Sequence, residues 1–246
     1  LYGKDLTLKY QPQVDLQQNR ITGFEALLRW DCPSVGAISP SRFIPVAEET
    51  GLIFPLGEWV LETACAQAVA WQKAGMPPLR MAVNISARQF ARPDFIDMVE
   101  RILKETGLDP GCLEIELTES TVMEHIQEAI ATLTDLKVRN INLAIDDFGT
   151  GFSSLVYLKN FPFDRIKIAQ EFVRDISLDP GDKAIIEAII AMSRTLNLHI
   201  IAEGVEKLEQ LTFLKAQKCH EVQGYYFGKP APAAMISKAF ATGALT

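Results

Sequence analysis

The chain has 246 residues, of which 24 are basic and 31 acidic, giving a formal net charge of −7, and 48% are apolar. This composition excludes a disordered polyelectrolyte. It also argues against binding of extended nucleic acid, which needs a basic stripe that is nowhere visible. A small phosphate ligand stays compatible with the acidity if metal ions supply positive charge.

A mean hydropathy of +0.09 allows a sizeable core. β/α barrels of this length commonly form one undivided unit, so a single domain over 1–246 is expected. Cys32, Cys65, Cys112 and Cys219 lie far apart and form no CxxC pair, which points to reduced thiols and not to a zinc knuckle or disulfide framework. No apolar run approaches the roughly 18 residues of a membrane span, and the N-terminus lacks a signal-peptide layout. The expectation is a cytoplasmic domain excised from a larger, multidomain parent that could itself be membrane-anchored.

In chain order, strand-like runs at 6–14 and 21–30 flank a polar turn, and so short a link makes them antiparallel neighbours. Helical spacing follows at 43–49 and 59–71 and stops at Gly75-Met76-Pro77-Pro78. Strands are then predicted at 79–85, 113–117, 141–145, 165–168, 199–202 and 222–227. Helices are predicted between them at 94–104, 125–137, 153–158, 183–196 and 208–215, with a last one after Pro232. The alternation predicts an α/β fold with a mostly parallel sheet of eight strands, closed into a barrel with one reversed first strand. An open doubly wound sheet is the alternative, since strand count does not establish closure.

Several apolar strands end in an acid or amide: Asn84 in MAVN, Glu116 in LEIELTE, Asp146 and Asp147 in NLAIDD, Glu203 in HIIAE. Carboxyl ends of barrel strands converge on one mouth, so these residues should meet there. Glu25, inside GFEALLRW, joins them if the reversed strand points it inward. Such a cluster repels itself unless protons or cations neutralise it. All-oxygen ligands favour Mg²⁺ or Mn²⁺, and adjacent Asp146 and Asp147 are placed to serve two ions. Taken singly, an Asn or Glu at a strand end is more often a helix cap or a solvated loop residue, and it is their joint placement on successive strands that points to a site. Lys167 in RIKI is either a snorkelling surface lysine or, if inward, a group that orients water or stabilises phosphate charge. DDFGTGFSS lacks the Gly-Lys-Ser/Thr ending of a P-loop and reads as an active-site loop. His125, His199 and His220 show no metal-ligand spacing, and Trp30, Trp59 and Trp71 fall where packing explains them.

The ordered motifs EALLRW from Glu25, NIS from Asn84, ELTES from Glu116, DDFGTGFSSL from Asp146, KI at Lys167, AEGVE from Ala202 and QGYYFGKP from Gln223 resemble the EAL-type cyclic di-GMP phosphodiesterases over essentially the whole length. The resemblance implies a modified TIM (β/α)8 barrel with the first strand antiparallel to the others. It further implies hydrolysis of cyclic di-GMP to linear pGpG with Mg²⁺ or Mn²⁺, inhibition by Ca²⁺, homodimers formed near the Asp146 loop, and parents carrying sensor or GGDEF domains. Glu25, Asn84, Glu116 and Asp146 match ligands of one metal, and Asp146, Asp147 and Glu203 those of a second. By the same resemblance Lys167 holds the attacking water, and Gln11, Leu27, Arg29 and Gln223 contact substrate. Glu119 matches a glutamate that steadies the loop carrying Asp147 and Gly149. One position departs: the family motif KID is here Lys167-Ile168-Ala169. Alanine neither binds metal nor accepts a hydrogen bond, which opens a second reading, a receptor that binds the nucleotide without efficient cleavage. A barrel glycosidase with paired carboxylates is a third.

Overall fold

In the computed structural model, residues 5–151, 158–176 and 179–243 are described. Strands β1 (Leu6–Asp15) and β2 (Arg20–Cys32) form the expected antiparallel hairpin. Its turn is fixed by Asp15 Oδ1, which accepts the amides of Gln17 and Gln18 at 2.8 and 2.7 Å. A short strand β3 (Gly36–Ile38), not anticipated from sequence, folds back on β2. Helices α1 (Pro40–Thr50) and α2 (Ile53–Lys73) follow. Both start earlier than the spacing predicts, because Pro40 and Pro55 fall in first turns, where a missing N–H costs nothing.

The alternation then runs β4 (Arg80–Asn84), α3 (Ala87–Phe90), α4 (Phe95–Thr106), β5 (Leu113–Thr118), α5 (Glu119–Glu124), α6 (Ile126–Val138), β6 (Asn142–Phe148) and β7 (Arg165–Ile168). It ends with α7 (Gln170–Arg174), α8 (Pro180–Thr195), β8 (His199–Ala202), α9 (Leu208–Ala216), β9 (Glu221–Gln223) and α10 (Ala233–Ala241). The helix predicted over 153–158 lies outside the described residues except for Leu158.

Strand order β1-β9-β8-β7-β6-β5-β4-β2, with β1 pairing back to β2, closes the barrel and excludes the open sheet. β1 is antiparallel to both neighbours, whereas β2 is parallel to β4. Glu25 therefore sits on a strand that runs with the others, and within the closed barrel β1 alone is reversed, which corrects the expectation that the reversed strand carries it.

β9 is shorter than predicted. The ladder ends at Gln223 because Gly224 passes against Val205, where an added Cβ would lie 2.1 Å from the Val205 carbonyl oxygen.

Successive strand residues face opposite sides. The outward set (Val83, Ile115, Ile145, Ile166, Ile200) is buried beneath the helices, while the inward set is largely polar. At the amino ends of the strands Arg80 and Arg165 share Glu114 at 3.0 and 2.6 Å, and Arg80 meets Glu221 at 2.5 Å. Arg80 also donates to Gln13 at 2.8 Å, and His199 lies 3.4 Å from Glu221 while stacking on His220. This ion-paired floor seals the barrel bottom. Two residues further along β5, β7 and β9, and four further along β4 and β8, the inward positions become the mouth.

Candidate active site

Lys167 occupies the centre of the mouth. It is 1% exposed, which rules out the snorkelling role, and its Nζ lies 2.7 Å from Glu203, 2.8 Å from Glu116, 3.2 Å from Asp146 and 3.7 Å from Glu25. The acids come from different strands: Glu25 from β2, Glu116 from β5, Asp146 from β6, and Glu203 directly after β8, where its amide continues the ladder onto Ile168 at 3.1 Å. Asn84, last in β4, donates from Nδ2 to Glu25 Oε1 at 2.6 Å, and turning the amide over would present its oxygen instead. Gln223 donates to Glu25 and, at 3.2 Å, to Gln11.

Asp147 reaches the same mouth only because β6 breaks its alternation. The register with β7 shifts between Ile145 and Phe148, and Asp147 adopts a left-handed φ of 51°. Its amide donates to Asp146 Oδ1 at 2.9 Å, and its carbonyl accepts from Thr150 Oγ1 at 2.9 Å. Oxygens of Asp146, Asp147 and Glu203 all lie within 4.8 Å of one another. Glu119, buried at the start of α5, accepts the Gly149 amide through Oε2 at 3.3 Å, so it touches the loop that follows Asp147.

Burial raises Glu25, but Lys167 and hydrogen bonds from Gln223 and Asn84 outweigh it and hold the carboxyl below its ordinary value. Glu116 and Glu203 are not so protected. Burial, reinforced by neighbouring carboxylates, pushes Glu116 well up and Glu203 to about 8, and Lys167 relieves each only in part. Burial and the adjacent Asp146 also raise Asp147. Burial opposes charge on Lys167, yet the surrounding acids hold its ammonium well above its usual range.

Five carboxylates thus face one ammonium, an imbalance that protons or further cations must offset. Glu116 Oε1 is buried without a hydrogen-bond partner. A buried lone carboxylate oxygen beside a three-acid cluster fits a hard divalent cation with oxygen ligands.

Beside the acids opens a polar cavity of about 310 Å³ whose walls include Gln11, Leu27, Arg29 and Gln223. Gln170, Gly204, Glu206 and Tyr225 also line it; none of them was singled out from the sequence. On the Asn84 side a second cavity of about 720 Å³ extends along Ser86, Thr118 and Thr121. Half-buried Trp30 packs on Phe43, and buried Trp71 on Tyr10 and Phe24, so packing accounts for both rings.

Comparison with known proteins decides the family: residues 1–230 match the model of the EAL domain. The chain belongs to the EAL domain family. Among EAL relatives, an uncharacterized signaling protein of Caulobacter vibrioides is 47% identical over 93% of this chain and 28% of its own length. The bifunctional diguanylate cyclase/cyclic di-GMP phosphodiesterase MucR of Pseudomonas aeruginosa is 44% identical over 96% of this chain and 34% of its own length. The chain therefore spans about a third of these curated relatives. A structure of the PaMucR phosphodiesterase in complex with c-di-GMP superimposes with a TM-score of 0.92 at 44% identity, covering 95% of this chain and 94% of that one.

Proposed function

We propose that this EAL domain hydrolyses one phosphodiester of cyclic di-GMP to linear pGpG, with two divalent cations, Mg²⁺ or Mn²⁺, as cofactors. The observation that carries the reading is the Lys167-centred ring of five carboxylates opening onto the cavity that holds Gln11, Leu27, Arg29 and Gln223. Relatives named as cyclic di-GMP phosphodiesterases and the c-di-GMP complex of PaMucR support it.

Glu25, Asn84, Glu116 and Asp146 would hold one ion, and Asp146, Asp147 and Glu203 the other. Bound there, the ions supply a water of lowered pKa and offset the charge of the phosphodiester oxygens. Arg29 offers its fork of donors to a phosphate, the Gln11 and Gln223 amides read polar edges, and Leu27 gives an apolar contact. Lys167 orients the attacking water with its ammonium protons. The water oxygen bonds to phosphorus as the ribose 3′ oxygen departs with a proton, leaving a 5′ phosphate on the linear product.

The short span relative to its kin supports residues 1–246 as one catalytic domain of a larger signalling protein with sensor or GGDEF domains. A homodimer acting in the cytoplasm completes the reading, and the free thiols of Cys32, Cys65, Cys112 and Cys219 are in keeping with that compartment.

Ala169 favours a second reading, a receptor that binds without efficient cleavage. It stands two residues after Lys167, directly beyond the end of β7, where it is buried and brings no polar group. Incubation with cyclic di-GMP and Mn²⁺ separates the two: pGpG should accumulate and chelation should stop it. Binding with no product would favour the receptor.

A further inference from the structure

We infer that Phe172 and Ile189 are positioning residues for Asp147, forming an apolar seat that holds the Asp147 loop in its metal-ready conformation. This rests on the two-cation reading above. The chain passes Asp147 at φ 51° and Gly149 at φ 96°, both left-handed, and returns through Thr150. Left-handed backbone in a non-glycine residue persists only where its surroundings impose it.

On one side the constraint is polar: the Gly149 amide donates to Glu119 at 3.3 Å. On the other side it is apolar. A Cβ built on Gly149 would lie 3.1 Å from Phe172 Cε2, 3.5 Å from its Cζ and 3.4 Å from Ile189 Cδ1, so the bare glycine rests directly on these two side chains.

Phe172 comes from α7 and Ile189 from α8, and both are buried. α7 begins immediately after β7, and the Phe172 amide donates to the Ala169 carbonyl at 3.2 Å. The strand that aims Lys167 therefore also sets the height of the seat, five residues later in the chain. Lys167 and Asp147 are thereby registered to each other through packing, although Asp147 sits at the irregular end of β6 and Lys167 on the regular strand β7. Glu119 alone cannot do this: one hydrogen bond fixes a distance but leaves the loop free to pivot about it.

The test uses Phe172→Leu, which removes the contacting ring atoms, and Ile189→Val, which removes only the contacting Cδ1. Val99→Ala, in the buried face of α4, serves as a control for general destabilisation. Mn²⁺ binding is followed calorimetrically, and amide hydrogen exchange across 147–151 is followed in chelator. Phe172→Leu should weaken Mn²⁺ binding about tenfold, the usual scale for residues that support metal ligands, and Ile189→Val less. Both should accelerate exchange across the loop, whereas Val99→Ala lowers the melting temperature and changes neither. Unchanged exchange and unchanged Mn²⁺ affinity in Phe172→Leu would overturn the inference, as would an equal loss in Val99→Ala. If the unsubstituted protein takes up no Mn²⁺, the two-cation reading fails by itself, and the exchange arm still decides whether the seat holds the loop.

Discussion

At the scale of single residues, Lys167 carries most of the electrostatic load of the mouth. Its ammonium sits within 3.2 Å of three carboxylates and within 3.7 Å of a fourth. Replacing it with methionine keeps the length and removes the charge, so the acids lose their internal cation. Lys167→Met should lower turnover of cyclic di-GMP at least about 100-fold, the scale for losing one preorganised charge-stabilising group. It should also lower the melting temperature in chelator at pH 8. Because the acids then depend wholly on bound cations, Mn²⁺ should raise the melting temperature of the variant by more than that of the parent. An equal Mn²⁺ response in the two proteins would show that Lys167 does not share the carboxylates with metal. Ala169→Asp works in the opposite sense. The substitution restores the acid of the KID motif two residues after Lys167, so pGpG formation should rise, and an unchanged rate would show that Ala169 does not limit the enzyme.

At the scale of elements, the close approach of the loop after β8 to the end of β9 decides where Gln223 points. A Cβ on Gly224 would lie 2.1 Å from the carbonyl oxygen of Val205 and 2.3 Å from its nitrogen, and both are backbone atoms that cannot rotate away. Gly224→Ala should therefore cost about 1–3 kcal/mol, as forced overpacking does. It should also weaken nucleotide binding, because Gln223 would leave Glu25 and Gln11. A melting temperature and affinity equal to the parent would contradict this.

The same elements show what the sequence makes legible. Period-two alternation located the strands and their polar ends, since an inward acid among outward Val and Ile is visible without coordinates. The hairpin of β1 and β2 was equally plain, and only the assignment of the reversed strand needed correction. The bulge at Asp147 was not legible: adjacent acids on a regular strand would face opposite sides, and the left-handed turn that reunites them depends on contacts with Glu119, Phe172 and Ile189 from distant elements. The floor was missed although its signal was present. Glu114, Arg165 and Glu221 stand two residues before Glu116, Lys167 and Gln223, the spacing that places each pair on one face.

At the scale of the whole molecule, floor and mouth impose opposite pH dependences on one barrel. Burial alone would raise Glu221, but the His199 ring 3.4 Å away and the guanidinium groups of Arg80 and Arg165 outweigh it and hold the carboxyl well below its ordinary 4.5. A group depressed in the folded state stabilises fully above its unfolded pKa and loses that contribution as pH falls below it. In the mouth Glu25 is depressed likewise, but the other shifted acids act in reverse. Glu203, raised from 4.5 to about 8, binds its proton more tightly in the folded state, so stability falls as pH climbs through that interval. Glu116 and Asp147 are raised too and add to the same slope. In chelator, therefore, the melting temperature should peak in the mildly acidic range and decline towards pH 8.5. With Mn²⁺ at the carboxylates, cations replace protons as the neutralising charge and the alkaline decline should vanish, while the acid limb, to which Glu221 of the floor contributes, stays. Glu221→Gln should flatten that acid limb and lower stability near neutrality by about 3 kcal/mol, since Arg80 loses a buried partner. A metal-free protein equally stable at pH 6 and pH 8.5 would mean that the mouth acids are neutralised by something other than protons and cations.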